Sequence, residues 1–219
     1  MILSRKRRNI LLLPLVSLLL FAGSLASAQT ITMAMSAQPD TLDPQVTAAT
    51  AAFQVSKSIY DTLVEVDRAG NLVPALASAY EVSADGLTYT FELAAATFHD
   101  GTTLDAADVV ATLDRIRAEA TGSPKATEFG AIASVEAQDA NTVVVSLTEP
   151  KPAFLSTLAS GWGAILPSEK LAAGHDFGNQ PVGTGPFSFV SWSRDNAITL
   201  AANPDYYQGA PLVDQVVIR

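Results

Sequence analysis

The chain has 219 residues, with 22 acidic and 13 basic side chains and no cysteine. The lack of cysteine excludes disulfides, thiolate nucleophiles and cysteine-ligated metal sites. The net charge of −9 disfavours binding to nucleic acid or to an anionic membrane surface.

Residues 1–28 have the pattern of a secretory signal peptide. A basic segment at 5–8 precedes an apolar stretch at 10–21 and the small residues at 26–28. The apolar stretch contains a proline and is shorter than the ~20 residues that span a bilayer, which favours cleavage over a membrane anchor. Cleavage before Gln29 removes four basic residues and no acidic ones, so the mature charge becomes 9 minus 22, or −13.

The mature chain is predicted to begin with a strand, a helix and a turn. Residues 31–35 favour a strand, and the apolar-rich segment 48–63 favours a helix. Residues 67–71 are typical of a turn. Strand and helix therefore both occur early, which indicates a mixed α/β chain.

The segment 86–116 contains a strand, a turn and a capped helix in that order. His99, Asp100 and Gly101 form the turn, and Asp105 with Asp108 forms an acidic capping box that predicts a helix over about 106–120. The strand before the turn is marked by apolar residues that alternate with polar ones, at Leu87, Tyr89, Phe91 and Leu93.

A hairpin follows, and then the clearest break in the mature chain. Residues 132–137 and 142–147 are predicted strands joined by a turn, with Val143, Val145 and Leu147 on one face. The proline-containing segment 149–152 ends this region. Beyond it, the patterns predict a helix at 153–159 and strands at 187–192, 197–201 and 214–219. In the first of these strands, Phe187 and Phe189 are predicted to face opposite to Val190 and Trp192.

Candidate catalytic groups are few, and each has a structural interpretation. His99 beside Asp100 is the nearest approach to a catalytic pair, but turn formation and packing explain both residues. His175 has no companion at a metal-ligand spacing. The acidic pair Asp40 and Asp43 adjoins prolines, as turn residues do. No serine-nucleophile motif occurs in the mature chain, so no catalytic residue and no metal ligand is predicted.

Several segments, in order, resemble the family 5 extracellular solute-binding proteins, which are peptide and nickel receptors of ABC importers. The region 86–116 resembles the signature of that family. Around it lie five shorter resemblances: PDTLDP at 39–44, IYDTLVE at 59–65, LVPALA at 72–77, PVGTGPF at 181–187 and NPDYY at 203–207.

The resemblance implies an α/β fold of the periplasmic-binding-protein type. Residues 29–52 and 150–219 would form an incomplete first lobe, and 53–149 a small inserted α/β domain. The second lobe would be absent, because family members run to more than twice this length. The chain is thus expected to be the N-terminal portion of a receptor.

The resemblance also implies a function. The chain would be the periplasmic substrate-binding component of an ABC importer, most often for peptides, with a permease in the inner membrane as its partner. It would be a monomer, bind no nucleic acid, hold no cofactor and catalyse no reaction. Without a cysteine after the signal peptide it cannot be a lipoprotein.

Three residues match positions near the ligand in peptide-binding members: Gln38, Lys125 and Trp162. Each also has an ordinary interpretation, since Gln38 can line a turn, Lys125 can be solvated and Trp162 can belong to the core. Two alternatives for the whole chain stay open. One is a non-functional remnant of such a receptor, and the other is a secreted enzyme with a new site around His99 and Asp100.

Overall fold

The structure is a computed structural model that describes residues 29–219, so the predicted signal peptide lies outside the described residues. The helices are α1 (Thr50–Ser56), α2 (Ala106–Arg117), α3 (Phe154–Leu158) and α4 (Ser168–Ala172). The strands are β1 (Thr30–Met33), β2 (Val64–Val66), β3 (Leu72–Pro74), β4 (Ala77–Val82), β5 (Thr88–Leu93), β6 (Ile132–Ala137), β7 (Thr142–Leu147), β8 (Phe187–Ser193), β9 (Ala197–Ala202) and β10 (Gln215–Ile218). No helix among residues 29–219 is long and apolar enough to cross a membrane.

The first sheet combines the two ends of the described chain in the order β1-β10-β9-β8. β1 runs parallel to β10, with Thr30 opposite Gln215, whereas the other neighbours are antiparallel. Parallel neighbours need a long connection, which here is almost the whole chain. Ile198 and Leu200 of β9 bury their side chains against α1 and the loop that precedes it.

The second sheet is antiparallel, in the order β4-β5-β7-β6, and β2 pairs with β3 in a separate ribbon. The predicted hairpin β6–β7 is confirmed at both of its strands. The alternation predicted for β5 is confirmed as well, because Tyr89, Phe91 and Leu93 are buried. Together with Val143 and Val145 of β7, these side chains form a core beneath α2.

The capping box of α2 is confirmed. One carboxylate oxygen of Asp105 accepts hydrogen bonds from the backbone N–H of Ala107 and of Asp108, at 2.8 and 3.3 Å. The Asp108 carboxylate in turn accepts from the Asp105 N–H at 2.9 Å. Each side chain therefore accepts hydrogen bonds from backbone N–H groups at the start of the helix, as a capping box does.

The predicted helix over residues 48–63 is wrong in its extent, because α1 ends at Ser56. The carbonyls of Ser58 and Ile59 accept hydrogen bonds from the N–H groups of Phe187 and Gly185, each at 2.9 Å. These carbonyls are therefore used by a distant segment and not by a continuing helix. The chain then enters β2 at Val64.

The two-faced pattern predicted for β8 is also wrong. The register against β9 shifts between Phe189 and Ser191, which is the mark of a β-bulge. Because a bulge adds one residue to one strand, the side chains beyond it change face. Phe187, Phe189 and Trp192 accordingly pack against the same apolar cluster.

The two apolar clusters interleave along the sequence. Val55 and Ile59 belong to the cluster of the first sheet, whereas Phe154, Leu158 and Ile165 belong to the cluster of the second sheet. The domain limits at 52/53 and 149/150 stay predictions.

Candidate functional site

The structure brings together two of the three predicted ligand residues. The Lys125 ammonium lies 5.0 Å from the centroid of the Trp162 ring, within the range of a cation–π contact. Lys125 also pairs with Glu128 in the next turn of the chain. Both Lys125 and Trp162 are half-buried, so one side of the pair stays open to solvent.

Trp162 is held in place from two directions. Its indole N–H donates to the Thr47 carbonyl at 2.8 Å. Its ring packs edge-on against Phe53 of α1, with centroids 4.6 Å apart. A Cβ on Gly161 would lie 2.4 Å from the Phe53 ring, so glycine is what lets the loop approach α1 this closely.

Gln38, the third predicted residue, lies in a different environment. It is exposed, and its side-chain carbonyl accepts a hydrogen bond of 3.1 Å from the Trp192 indole N–H. The Arg194 guanidinium stacks on that indole, 3.3 Å from the ring centroid. Within residues 29–219 no hydrogen bond links Gln38 to Lys125 or Trp162. The ligand-binding roles of all three residues remain predictions.

A cleft of about 200 Å³ opens beside Phe53 and Gly161, the residues that support Trp162. The same side of α1 and the segment after it supply polar groups to its wall, among them Ser56, Asp61 and Glu65. Sequence reasoning missed these residues as a site. The IYDTLVE segment marked Asp61 and Glu65 as family-like, but it carried no sign that they line a cleft.

Asp61 is the most perturbed carboxylate in the cleft. It accepts hydrogen bonds from the Thr184 hydroxyl at 2.8 Å and from the Tyr206 hydroxyl at 3.1 Å. Burial raises its pKa to about 6, although the two hydrogen bonds act in the opposite direction. Thr184 lies in the Gly183-Thr184-Gly185 turn, which therefore serves to present a hydroxyl to Asp61.

His99 and Asp100 do not form a catalytic pair in the structure. The His99 Nε2 lies 2.9 Å from the Gly185 carbonyl, and Nδ1 faces the Gly183 N–H at 3.4 Å. Asp100 instead accepts from the Thr102 hydroxyl at 2.7 Å and pairs with Lys170 at 3.3 Å. Because both ring nitrogens face backbone groups, neither is placed to take a proton from a nucleophile.

The remaining acidic residues also have structural partners. Asp43 pairs with Arg115, and Asp40 accepts a hydrogen bond of 2.8 Å from the Thr47 hydroxyl. His175 contacts the Gln180 carbonyl through Nε2. No group of three or more His, Cys, Asp or Glu side chains within residues 29–219 is arranged to hold a metal ion.

Comparison with known proteins agrees with this architecture. A protein of Brucella ovis, named as an ABC transporter peptide-binding protein, is 41% identical over 179 residues, which are 78% of this chain and 34% of that protein. The solved structure of AgaA from Agrobacterium tumefaciens, in complex with agropinic acid, is 38% identical with a TM-score of 0.83 and matches 87% of this chain and 40% of AgaA. DppA from Helicobacter pylori, in complex with the peptide STSA, is 30% identical with a TM-score of 0.79 and matches 88% of this chain and 43% of DppA.

The chain thus spans between a third and a half of the length of the proteins that it matches. The expected α/β, periplasmic-binding-protein-like fold is confirmed by these neighbours. The family described as bacterial extracellular solute-binding proteins, family 5 middle, matches residues 71–219. This chain therefore belongs to the family 5 extracellular solute-binding proteins.

Proposed function

We propose that the chain is the substrate-binding component of an ABC importer and that it binds peptides in the periplasm. The observation that carries the proposal is the Lys125–Trp162 pair, which lies half-exposed beside a cleft in a member of this family. An aromatic wall with a few fixed polar groups is the usual composition of a small-ligand site. The roles of Lys125, Trp162 and Gln38 in contacting the ligand are part of this proposal.

Peptides are favoured over other solutes on the basis of two matched proteins. The Brucella ovis protein is named as a peptide-binding protein, and DppA was solved in complex with the peptide STSA. Lys125 offers a cation for the carboxylate or carbonyl groups of a peptide, and Trp162 offers an apolar face for a side chain. AgaA, which is as similar in fold, holds agropinic acid. Agropinic acid is therefore the natural comparison ligand.

The proposal extends to location and partner. The signal-peptide pattern at 1–28 supports export across the inner membrane, and the absence of cysteine from this chain supports a periplasmic protein that is not a lipoprotein. The proposed partner is the inner-membrane permease of the importer. The protein would act as a monomer, without nucleic acid and without catalysis.

The chain contains two tryptophans, one beside each predicted site, and this permits a direct test. A Trp192→Phe variant leaves Trp162 as the sole indole, which reports on the Lys125 site. A Trp162→Phe variant leaves Trp192, which reports on the Gln38 site. Each variant is titrated with short peptides and with agropinic acid while indole fluorescence is followed.

A saturable change in Trp162 emission with peptides is the expected result, and Lys125→Ala should weaken it. A change confined to Trp192 would move the ligand site to Gln38. If folded protein gives no saturable change at either indole with any peptide, the peptide-receptor function is rejected for this chain, and the interpretation as a non-functional remnant is favoured.

A further inference from the structure

The cleft beside Trp162 is too small to enclose a whole ligand. It lies between α1, β2 and the loop after α3, and its volume of about 200 Å³ is below the 300–1,000 Å³ or so that holds a whole drug-sized ligand. It is therefore large enough for one end or one side chain of a ligand. Phe53 and Gly161 connect it to the Lys125–Trp162 pair.

Two acidic residues of the described chain line this space and form no ion pair. Asp61 and Glu65 both line the cleft. Within residues 29–219 neither one takes part in an ion pair. Each oxygen of Asp61 accepts one hydrogen bond from the protein, and a carboxylate has room for about four.

A buried hydroxyl without a partner lies in the same wall. Ser56 of α1 is 3% exposed, and in the described part of the chain its Oγ has no hydrogen-bond partner. Buried polar groups are nearly always satisfied, so an orphan hydroxyl that lines a cavity indicates a missing donor or acceptor in that cavity.

We propose that this cleft is a subsite for a primary ammonium group, bound by Asp61 and Glu65 and oriented by the Ser56 hydroxyl. The inference deepens the proposed function, because it assigns one charged group to the ligand. An ammonium donates three hydrogen bonds, which matches two carboxylates and one hydroxyl. Ca²⁺ takes about six to eight oxygen ligands, and no group of three or more His, Cys, Asp or Glu side chains within residues 29–219 is arranged to hold a metal ion, so an organic cation is the better fit.

Other charged and titratable groups near Asp61 do not neutralise its negative charge. Lys57 lines the cleft but is exposed at its rim, where water screens it. Tyr60 lines the cleft, Tyr206 donates to Asp61, and Tyr207 lies close by. Burial raises the pKa of all three phenols, and the Asp61 charge raises the pKa of Tyr206 and Tyr207 further, so they stay neutral near pH 7.

Ligand binding should consequently depend on pH. A bound ammonium favours ionised Asp61, whose pKa without ligand is about 6. As the pH falls below 6, the carboxylate takes up a proton and the affinity for the cation decreases. At pH 5 the affinity should be roughly a tenth of that at pH 7.5, since about one Asp61 in ten is then ionised.

The test uses n-butylammonium chloride as the probe, with n-butanol as its neutral counterpart and sodium chloride to match ionic strength. Backbone amide shifts of the isotope-labelled protein are recorded by NMR during each titration. The expected result is a saturable shift at Ser56, Asp61 and Glu65 with the ammonium alone. Glu65→Gln should bind about tenfold more weakly, the loss expected for one charge-assisted hydrogen bond, and Glu136→Gln, an exposed substitution on β6, should bind like wild type.

Equal shifts with n-butanol would overturn the proposal, and so would an unchanged affinity in Glu65→Gln. The ammonium titration and the peptide titrations test two different claims, and each can fail without the other. If peptides bind but the ammonium does not, the subsite is wrong and the receptor function stands. If the ammonium binds at the cleft but no peptide binds, the subsite stands and the peptide assignment fails.

Discussion

Arg115 joins α2 to the loop that precedes α1 through a two-pronged ion pair. Its guanidinium contacts the two carboxylate oxygens of Asp43 at 3.1 and 2.6 Å, and it donates to the Gln45 side chain at 2.8 Å. The Asp43 side chain is only 8% exposed. Without Arg115, a buried carboxylate would therefore lack its counter-charge.

Arg115→Ala should lower the free energy of unfolding by about 3 kcal/mol, the cost of leaving one partner of a buried pair unpaired. Chemical denaturation measures this loss. Asp114→Ala on the same helix is the matched control, because Asp114 is more than half exposed and should cost less than about 1 kcal/mol. Equal losses in the two variants would show that Asp43 is as well solvated as Asp114.

His99 couples stability to pH. Burial lowers its pKa below the usual 6.5, and its hydrogen bond to the Gly185 carbonyl and the nearby Asp100 only partly oppose this. The unfolded chain therefore binds a proton at a higher pH than the folded protein does. The contribution of neutral His99 is present above about pH 6.5 and is lost as the pH falls through the folded pKa.

The prediction is that the free energy of unfolding falls more in wild type than in His99→Gln between pH 7.5 and pH 5, when each protein is compared with its own value at pH 7.5. Denaturant titrations at several pH values measure the difference. The comparison with the variant is needed because Asp61 acts in the opposite sense. Because the pKa of Asp61 is raised to about 6 in the folded state, the folded protein binds this proton at a higher pH than the unfolded chain does. Asp61 therefore adds stability as the pH falls from about 6 to about 4. Parallel pH profiles would contradict the role given to His99.

At the scale of elements, the turn of Gly183 and Gly185 joins the first sheet to the segment after α1. A Cβ on Gly183 would lie 2.1 Å from the Ile59 carbonyl oxygen, and one on Gly185 would lie 2.6 Å from the Ile59 carbonyl carbon. Both contacts are with backbone, which cannot rotate away as a side chain can. The glycines are therefore required by close approach.

Gly183→Ala should destabilise the protein by about 3 kcal/mol, because the added methyl forces two backbone segments apart. Thermal or chemical unfolding measures the loss. Gly130→Ala is the control, since its Cβ would come no closer than 3.1 Å to a carbonyl oxygen, and it should cost about 1 kcal/mol or less. A Gly183→Ala protein as stable as Gly130→Ala would mean that the turn can move as a unit.

Elements with a clear local period could be predicted from the sequence, and elements fixed by distant contacts could not. β5, β7 and α2 each have alternating or helical apolar positions and, in α2, a capping box. The end of α1 has no local signal, because it is set by bonds from Gly185 and Phe187. The bulge in β8 is likewise a property of its pairing with β9.

The candidate site divides in the same way. Family resemblance indicated Lys125 and Trp162, which the structure places side by side. The acidic cleft was not foreseen, since it depends on Thr184 and Tyr206 reaching Asp61 across 123 and 145 residues of sequence. Local patterns carry no information on contacts at that separation.

At the scale of the whole molecule, β1 leaves apolar surface uncovered in the described part of the chain. Ile31 and Met33 are 46% and 51% exposed, and within residues 29–219 β10 is the one neighbour of β1 in the sheet. An exposed apolar edge strand promotes aggregation at high protein concentration.

Ile31→Lys should therefore reduce self-association at high protein concentration, because a lysine on an edge strand opposes pairing. Sedimentation or light scattering measures it. Thr32→Lys adds the same charge on the other face of β1 and should have a smaller effect. If both substitutions act equally, net charge and not the Ile31–Met33 face controls association.

The parallel pairing of β1 with β10 also sets an order of events in time. Gln29 donates to Asp214, 185 residues away, whereas β4 to β7 all lie between residues 77 and 147. Because a chain emerges with its N-terminal end first, all strands of the second sheet are available well before β10, whereas β1 has no partner strand until β10 follows. Long-range pairing is also slow to form. The first sheet is thus the last part of the described chain to form, and β1 stays unpaired until β10 arrives.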